Sequence, residues 1–182
     1  MTNIVYIATS IDGFIADENG NIDWLNCVEN PGQSDYGFAD FMSSIDAVVM
    51  GRTTFETVMG FGGIWPYDKP VFVLSTQLTS LPLGLPDNVQ LLKGSPGFIS
   101  QYLMELGYQR LYIDGGNTVQ NFLAENLIDE LIITRIPIVL GKGKPLFFNN
   151  ENKIIFKHIS TSVYFDTLVK SHYKRESGGS LC

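Results

Sequence analysis

Short apolar runs set the terms on which this chain can fold. Ile4 to Ala8, Ala47 to Met50, Val71 to Leu74, Val89 to Leu92, Leu111 to Ile113 and Leu131 to Val139 are too brief for helices and rich in β-branched residues, the pattern of buried strands. Several are separated by stretches of helical period. Tyr36 to Ser44, with Ile45 just beyond, places Phe38, Phe41, Met42 and Ile45 on one side, and Phe55 to Met59 is a short second helix. Ser95-Pro96 starts a third, with Phe98, Ile99, Tyr102, Leu103 and Leu106 as its apolar stripe before Gly107 stops it. Asn117 is placed to cap a fourth, carrying Val119, Phe122, Leu123 and Leu127. Alternation of this kind predicts crossover connections between parallel strands. From Ile154 the pattern changes, because Ile154 to Tyr164 and Thr167 to Tyr173 meet around Phe165-Asp166 with no helix between them, which predicts an antiparallel closing hairpin. The fold class is α/β, a mixed sheet flanked by helices, in a single domain over 1–175 followed by a frayed tail at 176–182.

Charge narrows the partners. Lys and Arg number 12 against 19 Asp and Glu, for a net charge of −7, which repels polyanions and argues against nucleic acid or an anionic membrane surface. No apolar run approaches the roughly 18 residues that span a bilayer, and Met1 to Ser10 lacks a basic leader or a small-residue cleavage site, so a cytoplasmic protein is expected. Cys27 and Cys182 lie outside any metal-ligand spacing, and no metal site is expected.

Where strands end, small and hydroxylated residues gather. Gly51-Arg52-Thr53-Thr54 follows one strand and opens a helix, a place where free backbone N–H groups and the helix dipole hold phosphate; a helix cap with a solvated arginine explains it equally well. Asp114-Gly115-Gly116-Asn117-Thr118 repeats the arrangement, with a tight turn as the plain alternative. Ser75-Thr76-Gln77 ends a further strand and alone reads as loop chemistry, but ligands of open α/β sheets collect outside such strand ends. Together these segments predict a cleft for a phosphorylated cofactor. Asp35 opens the first helix, either as its cap or as a partly buried carboxylate that holds a polar heterocycle. Asp12-Gly13 begins a long connection to Trp24 with the composition of a mobile lid, and Trp24 and Trp65 are read as packing residues at the cleft's edges. His158 and His172 fall on the closing hairpin at solvent-facing positions and are assigned no catalysis. Gly141-Lys142-Gly143-Lys144-Pro145 lacks the Ser or Thr of a phosphate-hydrolysing loop and reads as a flexible basic loop.

In order along the chain, Asp12-Gly13-Phe14-Ile15-Ala16, Met50-Gly51-Arg52-Thr53-Thr54-Phe55-Glu56, Leu74-Ser75-Thr76-Gln77, Ile113-Asp114-Gly115-Gly116, Leu127-Ile128-Asp129-Glu130-Leu131 and Leu140-Gly141-Lys142-Gly143 resemble the dihydrofolate reductase superfamily. The Ser-x-Asp-Gly opening and the Asp-Gly-Gly turn are most similar to its riboflavin-biosynthesis pyrimidine reductase branch, the RibD C-terminal domain. The resemblance implies a three-layer fold around an eight-stranded, mainly parallel sheet, and NADPH as cofactor. It implies that Gly51, Arg52, Thr53 and Thr54 form one phosphate-binding turn and Ile113, Gly115, Gly116, Asn117, Thr118 and Val119 the diphosphate turn. Leu74, Ser75, Thr76 and Gln77 then receive the adenosine 2′-phosphate, and Ala8, Ile15 and Ala16 line the nicotinamide and the lid. Asp35 and Thr134 fall at the substrate carboxylate and its hydroxyl partner, the expected catalytic pair, with Asp12 and Trp24 completing the substrate side. The expected activity is reduction of a small nitrogen heterocycle, resembling that of 5-amino-6-(5-phosphoribosylamino)uracil reductase. A dihydrofolate reductase and a non-catalytic NADPH-binding protein are the alternatives, and a homodimer is compatible with the strand-rich C-terminus.

Overall fold

The computed structural model describes residues 1–30, 32–148 and 153–176; of the expected tail, 177–182 lie outside the described residues, as does Cys182. Its strands are β1 (Thr2–Thr9), β2 (Phe14–Ala16), β3 (Ala47–Gly51), β4 (Val71–Leu74), β5 (Val89–Leu92), β6 (Arg110–Asp114), β7 (Glu130–Arg135), β8 (Lys144–Pro145), β9 (Phe156–Tyr164) and β10 (Leu168–Arg175). The helices are α1 (Phe38–Ser43), α2 (Arg52–Gly60), α3 (Pro96–Glu105) and α4 (Gly116–Ala124). Eight strands form one sheet in the order β5-β4-β3-β6-β1-β7-β10-β9. From β5 to β7 all neighbours run parallel, whereas β10 is antiparallel to both β7 and β9. The carboxyl ends of six strands therefore share one edge of the sheet, and β10 enters at that same edge.

Consecutive residues of a strand point to opposite faces, so a run that is apolar throughout demands cover on both sides. Ile4 and Val48 face a cluster with Phe41 of α1 and Phe55 of α2. Val5 and Val49 face the other way, into Ile99 and Leu103 of α3 and Phe122 of α4. Three layers result, as the resemblance implied. The hairpin turns through Phe165 and Asp166, at φ of 52° and 51°, the left-handed pair that matches the twist of two-residue β turns.

Several local expectations are corrected. The strand expected to reach Val139 stops at Arg135, two residues short of Pro137, which has no N–H for a ladder. The first helix begins at Phe38 rather than Tyr36, because Tyr36 and Gly37 are both left-handed. Gly115, not Asn117, stands at the N-cap of α4. In α3 the buried face is Ile99, Ser100 and Leu103, leaving Phe98 and Leu106 in solvent. His172 is part-buried and bonded to Glu130 at 3.0 Å, not solvent-facing.

The segment from Asp12 to Trp24 is strapped down at its base. β2 pairs with β8, and Gly143 lies so close to the carbonyl of Ala16 that a side chain there would collide with it. Asp12 Oδ1 accepts from the Ser10 hydroxyl at 2.6 Å and from Leu140 N–H at 3.2 Å, while Oδ2 accepts from Gly141 N–H at 2.8 Å. These bonds to the charged form hold its pKa below the ordinary carboxylate value, the Ser10 hydroxyl contributing most. The Gly141 to Lys144 loop is thus tied in place rather than free. Asp12→Ala is expected to speed amide hydrogen exchange at Leu140 and Gly141 while leaving the core strand β3 protected. Unchanged exchange at both positions would contradict the strap.

Candidate functional site

Met50 pairs with Asp114, which sets the turns leaving β3 and β6 side by side. Neither turn has room for a side chain. A Cβ on Gly51 would lie 2.7 Å from Thr118 Oγ1, and one on Gly115, whose φ is +89°, would strike Thr54 Oγ1. Glycine is required at 115 on both counts. Each helix thus fills its neighbour's turn with a threonine, and both N-termini stay at the surface of one crevice.

Those N-termini are bare. No side chain caps α2 or α4, and neither has an acidic residue in its first turn. Away from this crevice, α3 is closed by its own Ser95, whose hydroxyl accepts from Phe98 N–H at 3.3 Å. Uncapped first-turn N–H groups and the positive ends of two helix dipoles are what a diphosphate needs.

Other predicted positions converge here. Leu74 pairs with Gly51, bringing Ser75-Thr76-Gln77 to the adjacent strand end. Ser75 Oγ accepts from the N–H groups of Gln77 and Leu78 at 3.1 and 2.9 Å, which orders the loop and leaves its own proton to donate, while Thr76 and Gln77 are exposed. Ile15 of β2 presses on Gly116, where a Cβ would sit 2.5 Å from its Cδ1, and Ala16 is buried beside it in sequence. Asn117 and Thr53 are exposed and Thr118 is buried. Val119 and Ile113 are corrected to core residues: both are fully buried, and Val119 N–H already bonds Gly115 carbonyl at 2.9 Å. Arg52 is partly committed, since its Nη1 donates to both carboxylate oxygens of Glu56 at 2.7 and 2.8 Å. An exposed i,i+4 pair of this kind contributes little and yields to a stronger anion.

A second group lies farther along the sheet. Thr134 pairs with Ala8 on one side and Lys170 on the other. Thr134 is buried and Ala8 part-buried. Lys170 Nζ donates to Tyr36 carbonyl at 2.6 Å, and the hydroxyls of Tyr6 and Tyr164 donate to the same oxygen at 3.1 Å each. The ammonium also lies 5.0 Å from the Tyr164 ring centre and 5.7 Å from that of Tyr6. Burial alone would lower its pKa, but the phenols of Tyr164 and Tyr6 outweigh that and hold it raised. This knot fixes the left-handed bend before α1 and hence the placing of Asp35.

Asp35 is corrected from partly buried to exposed. Its Oδ2 accepts from Ala39 N–H and its Oδ1 from Gly37 N–H, both at 2.9 Å, and those bonds lower its pKa. It is an ionised acceptor exposed to solvent. Trp24 is half-buried, and its indole N–H is enclosed without an acceptor among the described residues.

The group that sequence reasoning missed as a functional acid is Asp114. Burial pushes its carboxyl up to about 6, against the pull of Tyr112 and of Gly115 N–H, which donates to Oδ1 at 2.8 Å. Two residues apart on one strand, Tyr112 and Asp114 share a face, and Tyr67 feels the same charge. The signal was present in Tyr112-Ile113-Asp114, a carboxylate continuing the apolar side of a strand.

A family model described as the RibD C-terminal domain matches residues 99–166. The uncharacterized protein YwjB of Bacillus subtilis (strain 168) is 38% identical over 181 residues, spanning 94% of this chain and 97% of its own. The crystal structure of a putative riboflavin biosynthesis protein from Shewanella sp. PV-4 is 50% identical, with a TM-score of 0.94 over 97% of this chain and 100% of that one. A pyrimidine reductase-like protein from Corynebacterium diphtheriae shares the fold at 16% identity, with a TM-score of 0.69 over 97% and 92% of the two chains.

A raised carboxyl pKa costs the folded state once the group must ionise. The folded chain holds the Asp114 proton where the unfolded chain has lost it, so stability falls as pH rises from about 4 through about 6. By about pH 7.5 the cost is on the order of 2–3 kcal/mol. Asp114→Asn is expected to raise the melting temperature at about pH 7.5 and to leave it nearly unchanged at about pH 4. An equal effect at both would place the Asp114 carboxyl in an unperturbed environment.

Proposed function

The chain belongs to the RibD C-terminal branch of the dihydrofolate reductase superfamily, and from that premise we propose that it is an NADPH-dependent reductase of a small nitrogen heterocycle. The observation that carries the reading is the pair of interlocked, uncapped helix N-termini at the ends of β3 and β6. The residues present fit the cofactor: its diphosphate falls to the first-turn N–H groups of α2 and α4, and Gly51 and Gly115 leave space where side chains would intrude. Ser75, Thr76 and Gln77, joined by Arg52 once it is drawn from Glu56, take the 2′-phosphate. Ala8, Ile15 and Ala16 form the nonpolar bed for the nicotinamide, which when bound supplies the hydride for the acceptor carbon.

The protein's own contribution is position and a proton. Thr134 and Asp35 orient the substrate, with Asp35 as an ionised acceptor for ring N–H or amino groups. Asp114 keeps a proton near pH 6 and releases it from its carboxyl oxygen as charge develops on the reduced substrate. The strapped segment from Asp12 to Ala16 shields the crevice from water.

Two measurements test this. Arg52→Ala should weaken NADPH binding by about tenfold or more and NADH binding far less, as read by nucleotide fluorescence; equal losses would remove Arg52 from 2′-phosphate recognition. Turnover of a ribosylaminopyrimidine should fall as pH rises through about 6, and Asp114→Asn should be slow and flat over that range. A full rate in Asp114→Asn would assign the proton to another source, and no binding of either nucleotide would overturn the reductase reading.

A further inference from the structure

The carboxyl edge of the sheet is chemically divided. At β4, β3 and β6 it offers donors, as described. On the far side of β1 it opens into a separate cavity of about 590 Å³, where the chain leaving β7, the hairpin tip entering β10 and the end of the 3-10 turn Asp23–Cys27 meet. Its volume is that of a small-molecule site.

The walls are specific. Pro137, Ile138 and Phe165 supply apolar surface, and Glu29 supplies a carboxylate. Thr167 Oγ1 donates its proton to Phe165 carbonyl at 2.7 Å, so what it has left for a ligand is acceptor capacity. Tyr36, the neighbour of Asp35, packs edge-on against Phe165 with ring centres 6.2 Å apart, which ties this cavity to the Asp35 bend. No positively charged side chain lines it among the described residues. Lys170, which the hairpin brings to this end, has its ammonium committed to Tyr36 carbonyl between two phenols.

Such a cavity accepts a flat ring that presents N–H groups and gives nothing to a phosphate. A dianion entering it would find no counter-charge and meet the exposed carboxylate of Glu29. Resting on the reductase reading, we propose that this cavity holds the substrate and selects an amino-bearing heterocycle, neutral or protonated, that carries no phosphate. One edge of the ring lies against Ile138 and Phe165 with its amino group toward Glu29 and Thr167, and Asp35 takes the N–H groups of the edge that faces the Tyr36 bend. Phosphate recognition in this protein thus belongs to the nucleotide half of the edge alone.

The matched probes are 5-amino-6-ribosylaminouracil and its 5′-phosphate, titrated calorimetrically into the full chain with and without NADPH. The unphosphorylated compound should bind about tenfold or more tightly than the phosphate ester, a gap expected of one uncompensated carboxylate facing a dianion. Glu29→Lys should close or invert that gap, and Ile138→Trp should fill the cavity and weaken both compounds while NADPH affinity holds. Tighter binding of the phosphate ester would overturn the proposal. So would affinities unmoved by both variants, or no binding of either compound by a protein that still binds NADPH. Loss on the nucleotide side alone, with the heterocycle preference intact, would instead sink the reductase reading and leave the cavity's selectivity standing.

Discussion

The proposed nucleotide site depends on how closely two strand-to-helix turns approach one another. Because β3 and β6 are parallel neighbours, their exits must share a few ångströms of space, and Thr54 and Thr118 occupy the volume that glycine leaves at positions 115 and 51. That contact aims two helix N-termini at a single crevice. Parallel pairing is the cause, since antiparallel strands would send their turns to opposite edges of the sheet.

The arrangement costs stability at the place proposed to hold the cofactor. Leaving α2 and α4 uncapped forgoes what Ser95 gives α3, about 1 kcal/mol for each cap. Keeping a carboxyl buried at the end of β6 adds a further cost at neutral pH. Elsewhere, Asn88 Nδ2 donates to Tyr67 and Lys69 carbonyls, and Asp46 Oδ2 accepts from Gln109 and Arg110 N–H.

Strands buried on both faces were legible in the sequence because they carry apolar residues without alternation, and the glycine turns were legible because they sit where such runs end. The 3-residue strand β2 was not, since its partner β8 lies more than a hundred residues away and neither has a pattern of its own. The same separation hid the knot at Tyr36 carbonyl, where Lys170 is 134 positions distant. Asp35 shows the limit most plainly. Its type and place beside a helix start were readable, and both the cap and the buried carboxylate fitted; only the fold, which leaves it in solvent bonded to Ala39 and Gly37 N–H, decides for the cap and the ionised state. Asp114 was visible as the carboxylate that ends the strand Leu111 to Ile113, but Tyr67, which feels its charge, comes from a segment nearly fifty residues earlier.

The convergence of the two helix N-termini on one anion is most directly tested by backbone amide nuclear magnetic resonance during titration with NADPH. The largest shifts should fall on Arg52, Thr53 and Thr54 together with Gly116, Asn117 and Thr118, saturating as one event, while Phe98 at the capped start of α3 stays still. Shifts confined to one of the two helices, or centred on the closing hairpin, would contradict the account.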